Sequence, residues 1–230
     1  MIVLLYIGLV IAAYLLGSIS NAVWVGNCFF KIDVRKYGSN NAGATNTMRV
    51  LGWKAGLFVF ILDIAKGVLA VCLILLTPLD KASIPPDPVM SNSFVAFQIA
   101  LGIAVVLGHI FPIFASFKGG KGVATMSGVI LAIFPLAMLI IFIAFLITLI
   151  CTRYVSLSSI VGACCLPIVV IVFFDWILEL PEPLTLEIFS VLVAVMIVVT
   201  HRKNIKRLRN GEEHKIVLKK NPSVDLFDNE

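Results

Sequence analysis

The sequence predicts an all-α integral membrane protein with seven transmembrane helices, two of them short, an external N-terminus and a cytoplasmic C-terminus. Of its 230 residues, 60% are hydrophobic and 13% are charged, against roughly 25% charged in soluble domains. Apolar stretches of about 20 residues, long enough to cross a hydrocarbon core about 30 Å thick, recur as far as Thr200. We therefore expect residues 1–215 to form a single polytopic domain and residues 216–230 to form a polar cytoplasmic tail.

Six apolar stretches are the candidate spans, and one of them is counted as a double stretch. The first stretch lacks the basic residues that precede the apolar run of a secretory signal peptide, so we expect it to be retained as a span. In chain order the stretches cover about 2–24, 55–78, 94–114, 124–150 (the double stretch), 159–178 and 186–200.

The basic residues predict the orientation of these spans. Sixteen of the 18 lysines and arginines fall in four polar segments: between the first two spans, after the third, at Arg153, and after the last. Acidic residues collect in the connections on the other side. Because cytoplasmic segments carry the excess of Lys and Arg, all four basic segments are predicted to be cytoplasmic.

The double stretch must then cross the membrane twice, since Lys121 and Arg153 are both predicted to be cytoplasmic. Only 31 residues separate them, too few for two full helices at about 1.5 Å per residue. Pro135 is expected to break the stretch into two short helices. The alternative is one long tilted helix that leaves Arg153 outside.

Two further features of the apolar stretches have structural interpretations. Asp63 and Lys66 are three residues apart on one helical face, and we expect them to neutralise each other inside the bundle as structural support rather than as catalysts. The five cysteines have neither C-x-x-C spacing nor paired histidines nearby. They are expected to be small buried hydrophobic residues, and neither a metal nor a cofactor is predicted.

The first cytoplasmic loop, Tyr37–Gly52, has the composition of an oxyanion site. It is rich in glycine, hydroxyl and carboxamide side chains and contains no acidic residue, while Arg49 offers a bidentate donor for phosphate. The alternative is an ordinary solvated turn, because Asn, Gly and Ser are common in turns. Because the loop contains an arginine and no carboxylate, the oxyanion site is favoured over the solvated turn.

The second cytoplasmic loop contains "FKGGKGVAT", Phe117–Thr125. It is not a nucleotide-binding P-loop, because no glycine stands five residues before Gly120 and Gly122 replaces the required Ser or Thr. A glycine-rich turn with lysines, next to a helix N-terminus, is still suited to a phosphoryl or carboxyl oxygen. For Lys118 a simple positive-inside role remains open.

The third segment begins at His201, where the last span ends. His201, Asn204 and Leu208 share one helical face, which is predicted to turn toward the loops, while the neighbouring cations face water and anionic lipid. A site role and an interfacial role are both open for His201. No histidine is followed five positions later by aspartate, and no Gly-x-Ser-x-Gly occurs, which disfavours histidine–aspartate acyltransferases and ordinary serine hydrolases.

These three segments resemble the three signature motifs of the bacterial membrane acyl-phosphate:glycerol-3-phosphate acyltransferases. The similarity extends from residue 17 to about residue 215, while the connection 79–93 and the tail are longer than is usual in that family. The motif sequences are "GSNNAGATNTMR", "GHIFPIFASFKGGKGVAT" and "HRKNIKRLRNGEE", and "GSIS", "DIAKG" and "RYVSLSSI" are also similar.

The resemblance implies a multi-pass enzyme of the bacterial inner membrane with its active face in the cytoplasm. It would transfer a fatty acyl group from acyl phosphate to the 1-hydroxyl of sn-glycerol 3-phosphate, giving lysophosphatidic acid and phosphate in the first acylation of phospholipid synthesis. Its partners would be these two substrates and membrane lipid, with no nucleic acid and no cofactor.

The resemblance also implies the roles of the site residues. Reacting groups and the glycerol phosphate would be held by Ser39, Arg49, Lys121, His201 and Asn204. Glu213 would be a support residue. The acyl phosphate would be bound by a second set of residues, which are Gly38, Asn41, Gly43, Thr45, Asn46, Gly119, Gly120 and Gly122.

Such chemistry needs no serine nucleophile, because acyl phosphate is already an activated donor. Positioning two phosphates and neutralising their charge can supply most of the catalysis. The base that takes the hydroxyl proton is either a substrate phosphate or His201, and the sequence does not choose between them.

Two other functions are compatible with apolar spans and basic loops. A transporter of an anionic metabolite predicts polar residues through the membrane depth and repeated interrupted spans, whereas here the polar residues cluster at one depth and no internal repeat is found. A non-enzymatic scaffold would need only the basic residues and would leave Ser39, Asn41 and Asn46 without a purpose.

Overall fold

The computed structural model describes residues 2–78, 92–177 and 184–216, and regular structure in this part of the chain is helical throughout. Short 3₁₀ turns cover Val34–Lys36, Leu73–Leu76 and Ile113–Ala115, and a π-helix, Ile168–Ile177, continues α8. The α-helices are α1 Ile2–Ser18, α2 Asn21–Phe30, α3 Ala44–Leu51, α4 Trp53–Cys72, α5 Asn92–Ile110, α6 Val123–Ile133, α7 Pro135–Thr152, α8 Val155–Pro167, α9 Leu184–Thr200 and α10 Arg202–Arg209.

Among these residues, four helical stretches are long and apolar enough to cross a membrane: Trp53–Leu76, Ser93–Ala115, Pro135–Thr152 and Val155–Phe173. The number is up to six if each of two bent pairs is counted as one span; α1 and α2 are bent by 43° at their junction, and α9 and α10 by 60°. Helix α6 is apolar but short. The predicted 79–93 connection and the tail lie almost wholly outside the described residues.

The predicted break at Pro135 is confirmed, and the alternative of one continuous helix is wrong. Helix α6 ends at Ile133, Phe134 leaves the helical conformation with φ −141° and ψ 75°, and Pro135 opens α7. Proline suits the first position of a helix, where its missing N–H is not needed. However, the expectation of two short helices is wrong for α7, because the proline divides the stretch unequally into 11 and 18 residues.

Small residues let the helices approach closely at the centre of the bundle. A Cβ added at Gly67 on α4 would overlap the backbone of α6 at Thr125, and one at Gly128 would overlap the backbone of α4 at Ile64. Such close contacts favour helix association in lipid, where apolar burial gives little driving force. The first and second loops meet at a cavity that α4 and α6 also line.

The Asp63–Lys66 pair faces the bundle interior, as predicted. Lys66 Nζ lies 3.0 Å from Asp63 Oδ1, and both side chains are almost fully buried. Asn21 Nδ2 donates to the same carboxylate oxygen (2.9 Å), and Lys66 Nζ donates to the carbonyls of Gly17 (3.1 Å) and Ile19 (3.0 Å). The pair therefore joins α4 to the junction between α1 and α2.

The expectation of buried cysteines is wrong for four of the five. Cys28, Cys72, Cys151 and Cys164 are exposed on the outer surface of the helices, and Cys165 is half-buried. On the lipid-facing side of a membrane protein the bilayer surrounds apolar side chains, so a small hydrophobic residue does not require burial by protein.

Candidate active site

One cavity of about 650 Å³ lies where the two loops meet the ends of α3, α6, α8 and α10. All five residues predicted to hold the reacting groups line it: Ser39, Arg49, Lys121, His201 and Asn204. Asn41, Gly43, Thr45, Asn46 and Gly122 from the second predicted set also line it, whereas Gly38, Gly119 and Gly120 do not. Residues that are more than 160 positions apart in the chain therefore share one wall.

Asn46 organises the first loop. Its Nδ2 donates to the carbonyls of Val34 (2.9 Å) and Tyr37 (3.1 Å), and its Oδ1 accepts hydrogen bonds from Ser39 N (2.8 Å) and Ser39 Oγ (3.1 Å). Both donor hydrogens and both lone pairs of this buried amide are thus used inside the loop. The bonds hold the Ser39 hydroxyl at the cavity wall.

Gly38 makes this arrangement possible. Its φ of +62° lies in the left-handed region that favours glycine, and a Cβ at this position would overlap Asn46 Oδ1. Gly38 therefore lies behind the wall and allows Asn46 to reach Ser39.

The glycines of the second loop pack it against the end of α5. The N–H of Gly119 donates to Ile110 O (3.2 Å) and that of Gly120 to His109 O (3.1 Å). A Cβ at either position would overlap atoms of His109. These two amides donate to the end of α5, and they fix the main chain that presents Lys121.

Lys121 begins a chain of hydrogen bonds that ties the second loop to the last helix. Its Nζ donates to Asn204 Oδ1 (2.5 Å), and Asn204 Nδ2 donates to Glu213 Oε1 (2.7 Å). Glu213 also accepts from Ser156 Oγ (2.8 Å) and Arg207 Nε (2.7 Å). Burial opposes ionisation of Glu213, but the bonds from Arg207, Asn204 and Ser156 outweigh it and lower the pKa of this carboxyl group.

The Lys121 ammonium group is poorly solvated. Burial, the largest influence, lowers its pKa to about 8; Glu213 opposes this change, while Arg207 and Arg49 add to it. A cation in this environment has lost much of its hydration and gains strongly from an incoming phosphate. The wall is therefore suited to bind anions.

His201 is buried and lies just beyond the end of α9. Its Nδ1–H donates to Ile197 O (2.8 Å), because a carbonyl oxygen can only accept. Burial, together with the charge of Lys121, lowers the pKa of His201 to about 4, so the ring is neutral at pH 7. Nε2 is then an acceptor at the cavity wall.

An apolar wall continues from this polar wall. It is formed by α6, α7, α8 and α9, and includes Ile130, Met138, Ile141, Phe142, Phe145, Gly162 and Ile197. A single cavity thus combines a phosphate-binding chemistry with a surface for a hydrocarbon chain.

The structure adds residues that the sequence interpretation did not place at the site. Arg207 lies at the cavity three residues after Asn204, a helical spacing that pointed to it. Ser156 comes from "RYVSLSSI", and His109 from "GHIFP" just before the second loop. Asp63 also lines the cavity, so the predicted structural pair borders the site.

The fold and site define the class: a multi-pass, all-helical membrane protein with an anion-binding wall next to an apolar one. Residues 7–211 match the family profile described as glycerol-3-phosphate acyltransferase, and the chain belongs to that family.

Proteins that match this chain over nearly their whole length support the same assignment. The chain is 46% identical to glycerol-3-phosphate acyltransferase 2 of Bacillus anthracis, covering 90% of this chain and 97% of the relative. It is 43% identical to the Staphylococcus carnosus glycerol-3-phosphate acyltransferase (90% and 96%) and 40% identical to that of Chlorobaculum tepidum (93% and 97%).

Two solved structures share the fold. Both are described as PlsY (YgiH), an integral membrane glycerol 3-phosphate acyltransferase. The glycerol 3-phosphate form superposes with a TM-score of 0.75 at 36% identity, covering 92% of this chain and 96% of that one. The lysophosphatidic acid form superposes with a TM-score of 0.72 at 35% identity, covering 92% of this chain and 95% of that one.

Proposed function

We propose that this enzyme transfers a fatty acyl group from acyl phosphate to the 1-hydroxyl of sn-glycerol 3-phosphate, giving lysophosphatidic acid and phosphate. The observation that carries the proposal is the single cavity in which a cationic wall adjoins an apolar wall. The first wall suits two phosphates and the second suits an acyl chain. The glycerol 3-phosphate and lysophosphatidic acid forms of the related enzyme support this assignment of acceptor and product.

Within this proposal the cations bind the phosphates and polarise the reacting carbonyl. Lys121 and Arg49 neutralise the charge that develops on the departing phosphate, and Asn204 orients Lys121 through its bond to Nζ. Ser39, whose hydroxyl hydrogen is donated to Asn46 Oδ1, presents its oxygen to the substrate as a hydrogen-bond acceptor. Asn41, Gly43, Thr45 and Gly122 complete the phosphate-binding surface, while Gly38, Asn46, Gly119 and Gly120 shape it from behind.

The chemical step is an acyl substitution. The 1-hydroxyl oxygen of glycerol 3-phosphate attacks the carbonyl carbon, the bond between that carbon and the phosphate oxygen breaks, and phosphate leaves with the electron pair. The hydroxyl proton passes to Nε2 of His201 or to a substrate phosphate. A positioned base of either kind contributes typically 10²–10⁴-fold, so replacing His201 with Gln separates the two routes by the size of the loss.

We further propose that residues 1–215 form one acyltransferase domain in the bacterial inner membrane, with seven spans, an external N-terminus and a cytoplasmic active face. The hydrogen-bonded chain from Lys121 through Asn204 and Glu213 to Ser156 supports this topology. These hydrogen bonds require the second loop and the start of α8 to lie at the same end of the bundle. Two crossings of the membrane between Lys121 and Arg153 would have the same consequence.

The proposal is tested with purified protein in liposomes. Glycerol 3-phosphate is supplied with palmitoyl phosphate in one reaction and with palmitoyl-CoA in another, and lysophosphatidic acid is measured. We expect product from palmitoyl phosphate alone. Failure with the acyl phosphate contradicts the proposed donor, and product from palmitoyl-CoA alone reassigns it.

A further inference from the structure

Arg35 lies in the 3₁₀ turn Val34–Lys36, just before the first loop and away from the cavity wall, yet its guanidinium contacts the second loop. Its Nη1 donates to Ala115 O (2.7 Å) and, at a longer distance, to Lys118 O (3.4 Å). The contact joins residues about 80 positions apart in the chain. It therefore connects the loop that carries Ser39 to the loop that carries Lys121.

Asp33 fixes the direction of this guanidinium. Arg35 Nε donates to Asp33 Oδ1 (3.0 Å) and Nη2 donates to Oδ2 (2.9 Å), and the Arg35 main-chain N–H also donates to Oδ1 (3.0 Å). A two-pronged pair of this kind restricts the arginine far more than a single contact does. The remaining nitrogen, Nη1, is thereby aimed at the second loop.

The carbonyls that Arg35 contacts flank an unfavourable turn. Ser116 and Phe117 have φ values of 56° and 57°, so two consecutive residues other than glycine adopt the left-handed conformation. Such residues persist where surrounding contacts impose them. Phe117 N–H donates to Pro112 O (2.8 Å) within the turn, and Arg35 supplies a contact from outside it.

The main chain of Arg35 contacts the first loop, and its side chain contacts the second loop. Its main-chain carbonyl accepts from Asn40 Nδ2 (3.0 Å), in the same loop where Asn46 holds Ser39. Its side chain holds Ala115 and Lys118, which precede the amides that fix the Lys121 main chain against α5.

We propose that Arg35, oriented by Asp33, is a positioning residue that sets the separation of Ser39 and Lys121. The inference rests on the proposed function, because it assigns these two residues to one reaction. Arg35 does not line the cavity. Its loss lets the second loop shift relative to the first, and a displacement of about 1 Å can cost about 10²-fold in rate.

The test compares Arg35→Ala with Lys36→Ala in the full-length protein in liposomes. Lys36 is the adjacent exposed cation, and no hydrogen bond of its side chain is found in the part of the chain the structure describes. We expect Arg35→Ala to lower kcat at least about tenfold while both KM values stay within about twofold. Lys36→Ala should match the unmodified enzyme.

Two further variants separate positioning from charge and from folding. Arg35→Lys keeps the charge but loses the bidentate contact with Asp33, so its kcat should lie between those of Arg35→Ala and the unmodified enzyme. Asp33→Asn weakens the orienting pair and gives a milder loss, and it serves as the test if Arg35→Ala does not fold. Equal kcat in Arg35→Ala and Lys36→Ala, per mole of folded protein, overturns the inference.

Hydrogen exchange provides a readout that does not depend on turnover. The amides of Gly119 and Gly120 should exchange faster in Arg35→Ala than in Lys36→Ala, and unchanged exchange overturns the inference. If the unmodified protein makes no product from either donor, the proposed function fails instead, and the exchange comparison still decides whether Arg35 holds the second loop.

Discussion

Two lysines of the second loop have different environments although they are three residues apart. Lys121 is desolvated, lines the cavity and donates to Asn204, whereas Lys118 is exposed. A cation that neutralises a departing phosphate contributes to the transition state, while an exposed loop cation mainly faces solvent and lipid head groups. The pair therefore offers a matched comparison within one loop.

Lys121→Ala should lower kcat/KM for acyl transfer about 10²-fold or more, in line with the loss of one charge-stabilising donor. Lys118→Ala should change it less than about twofold. Steady-state rates with palmitoyl phosphate measure both variants, and thermal unfolding in detergent checks that both are folded. Similar losses in the two variants would contradict the assignment of Lys121.

The lowered pKa of Lys121 predicts a pH dependence. Lys121 must be protonated to bind phosphate, and its pKa in the free enzyme is about 8. The charged fraction is complete well below this pH and falls as pH rises through it, so kcat/KM should fall about tenfold per pH unit on the alkaline side.

The measurement is kcat/KM for glycerol 3-phosphate from about pH 6.5 to about pH 9.5, corrected for spontaneous hydrolysis of the acyl phosphate. Lys121→Arg is the control, because an arginine stays protonated over this range. Its residual activity should show no fall near pH 8. A fall that persists in Lys121→Arg would assign the alkaline loss to another group.

At the scale of helices, α7 and α8 form part of the apolar wall of the cavity. Gly162 on α8 lines it, and a Cβ there would make only ordinary contacts, 3.4 Å from Ile141 O and 3.7 Å from Phe145 Cβ. A Cβ at this position therefore meets no backbone clash, and we expect the added volume of a larger side chain to narrow the cavity. The position suits a test of where the acyl chain lies.

Gly162→Leu should reduce kcat/KM for palmitoyl phosphate at least about tenfold relative to a shorter acyl phosphate, because the leucine occupies space that the longer chain needs. Gly8→Leu is the matched control, since Gly8 is exposed on α1 with open space around it. Competition between the two donors measures the ratio. An unchanged ratio in Gly162→Leu would contradict the placement of the acyl chain against this wall.

At the scale of the whole molecule, the orientation of the spans is tested by labelling single cysteines in a cysteine-free variant. Lys118→Cys and Arg153→Cys should both react only when a membrane-impermeant maleimide reaches the cytoplasmic face, because both positions are exposed beside the site. Ser83→Cys, in the predicted outer connection, should react from the opposite face. Labelling of Arg153→Cys from the outer face would contradict the two crossings between Lys121 and Arg153.

The sequence by itself determined the class of the protein, and it predicted five site residues that the fold brings to one cavity. The lengths of the apolar stretches and the placement of the cations predicted the membrane helices, and Pro135 predicted the break between α6 and α7. All of these features depend on local composition. The motif residues Ser39, Arg49, Lys121, His201 and Asn204 were all predicted and all line one cavity. Such features are readable because they depend on residue type and spacing along the chain.

Tertiary structure decided which polar groups face the cavity and which hold the loops. Asn46, Gly119 and Gly120 use their hydrogen bonds inside the protein, and Arg35 and Ser156 contact partners 57 to 83 residues away in the chain. Four of the five cysteines predicted to be buried are exposed on the outer surface of the helices. The physical reason is the same in each case: a side chain's direction and partners are set by the packing of distant helices, which composition and spacing do not specify.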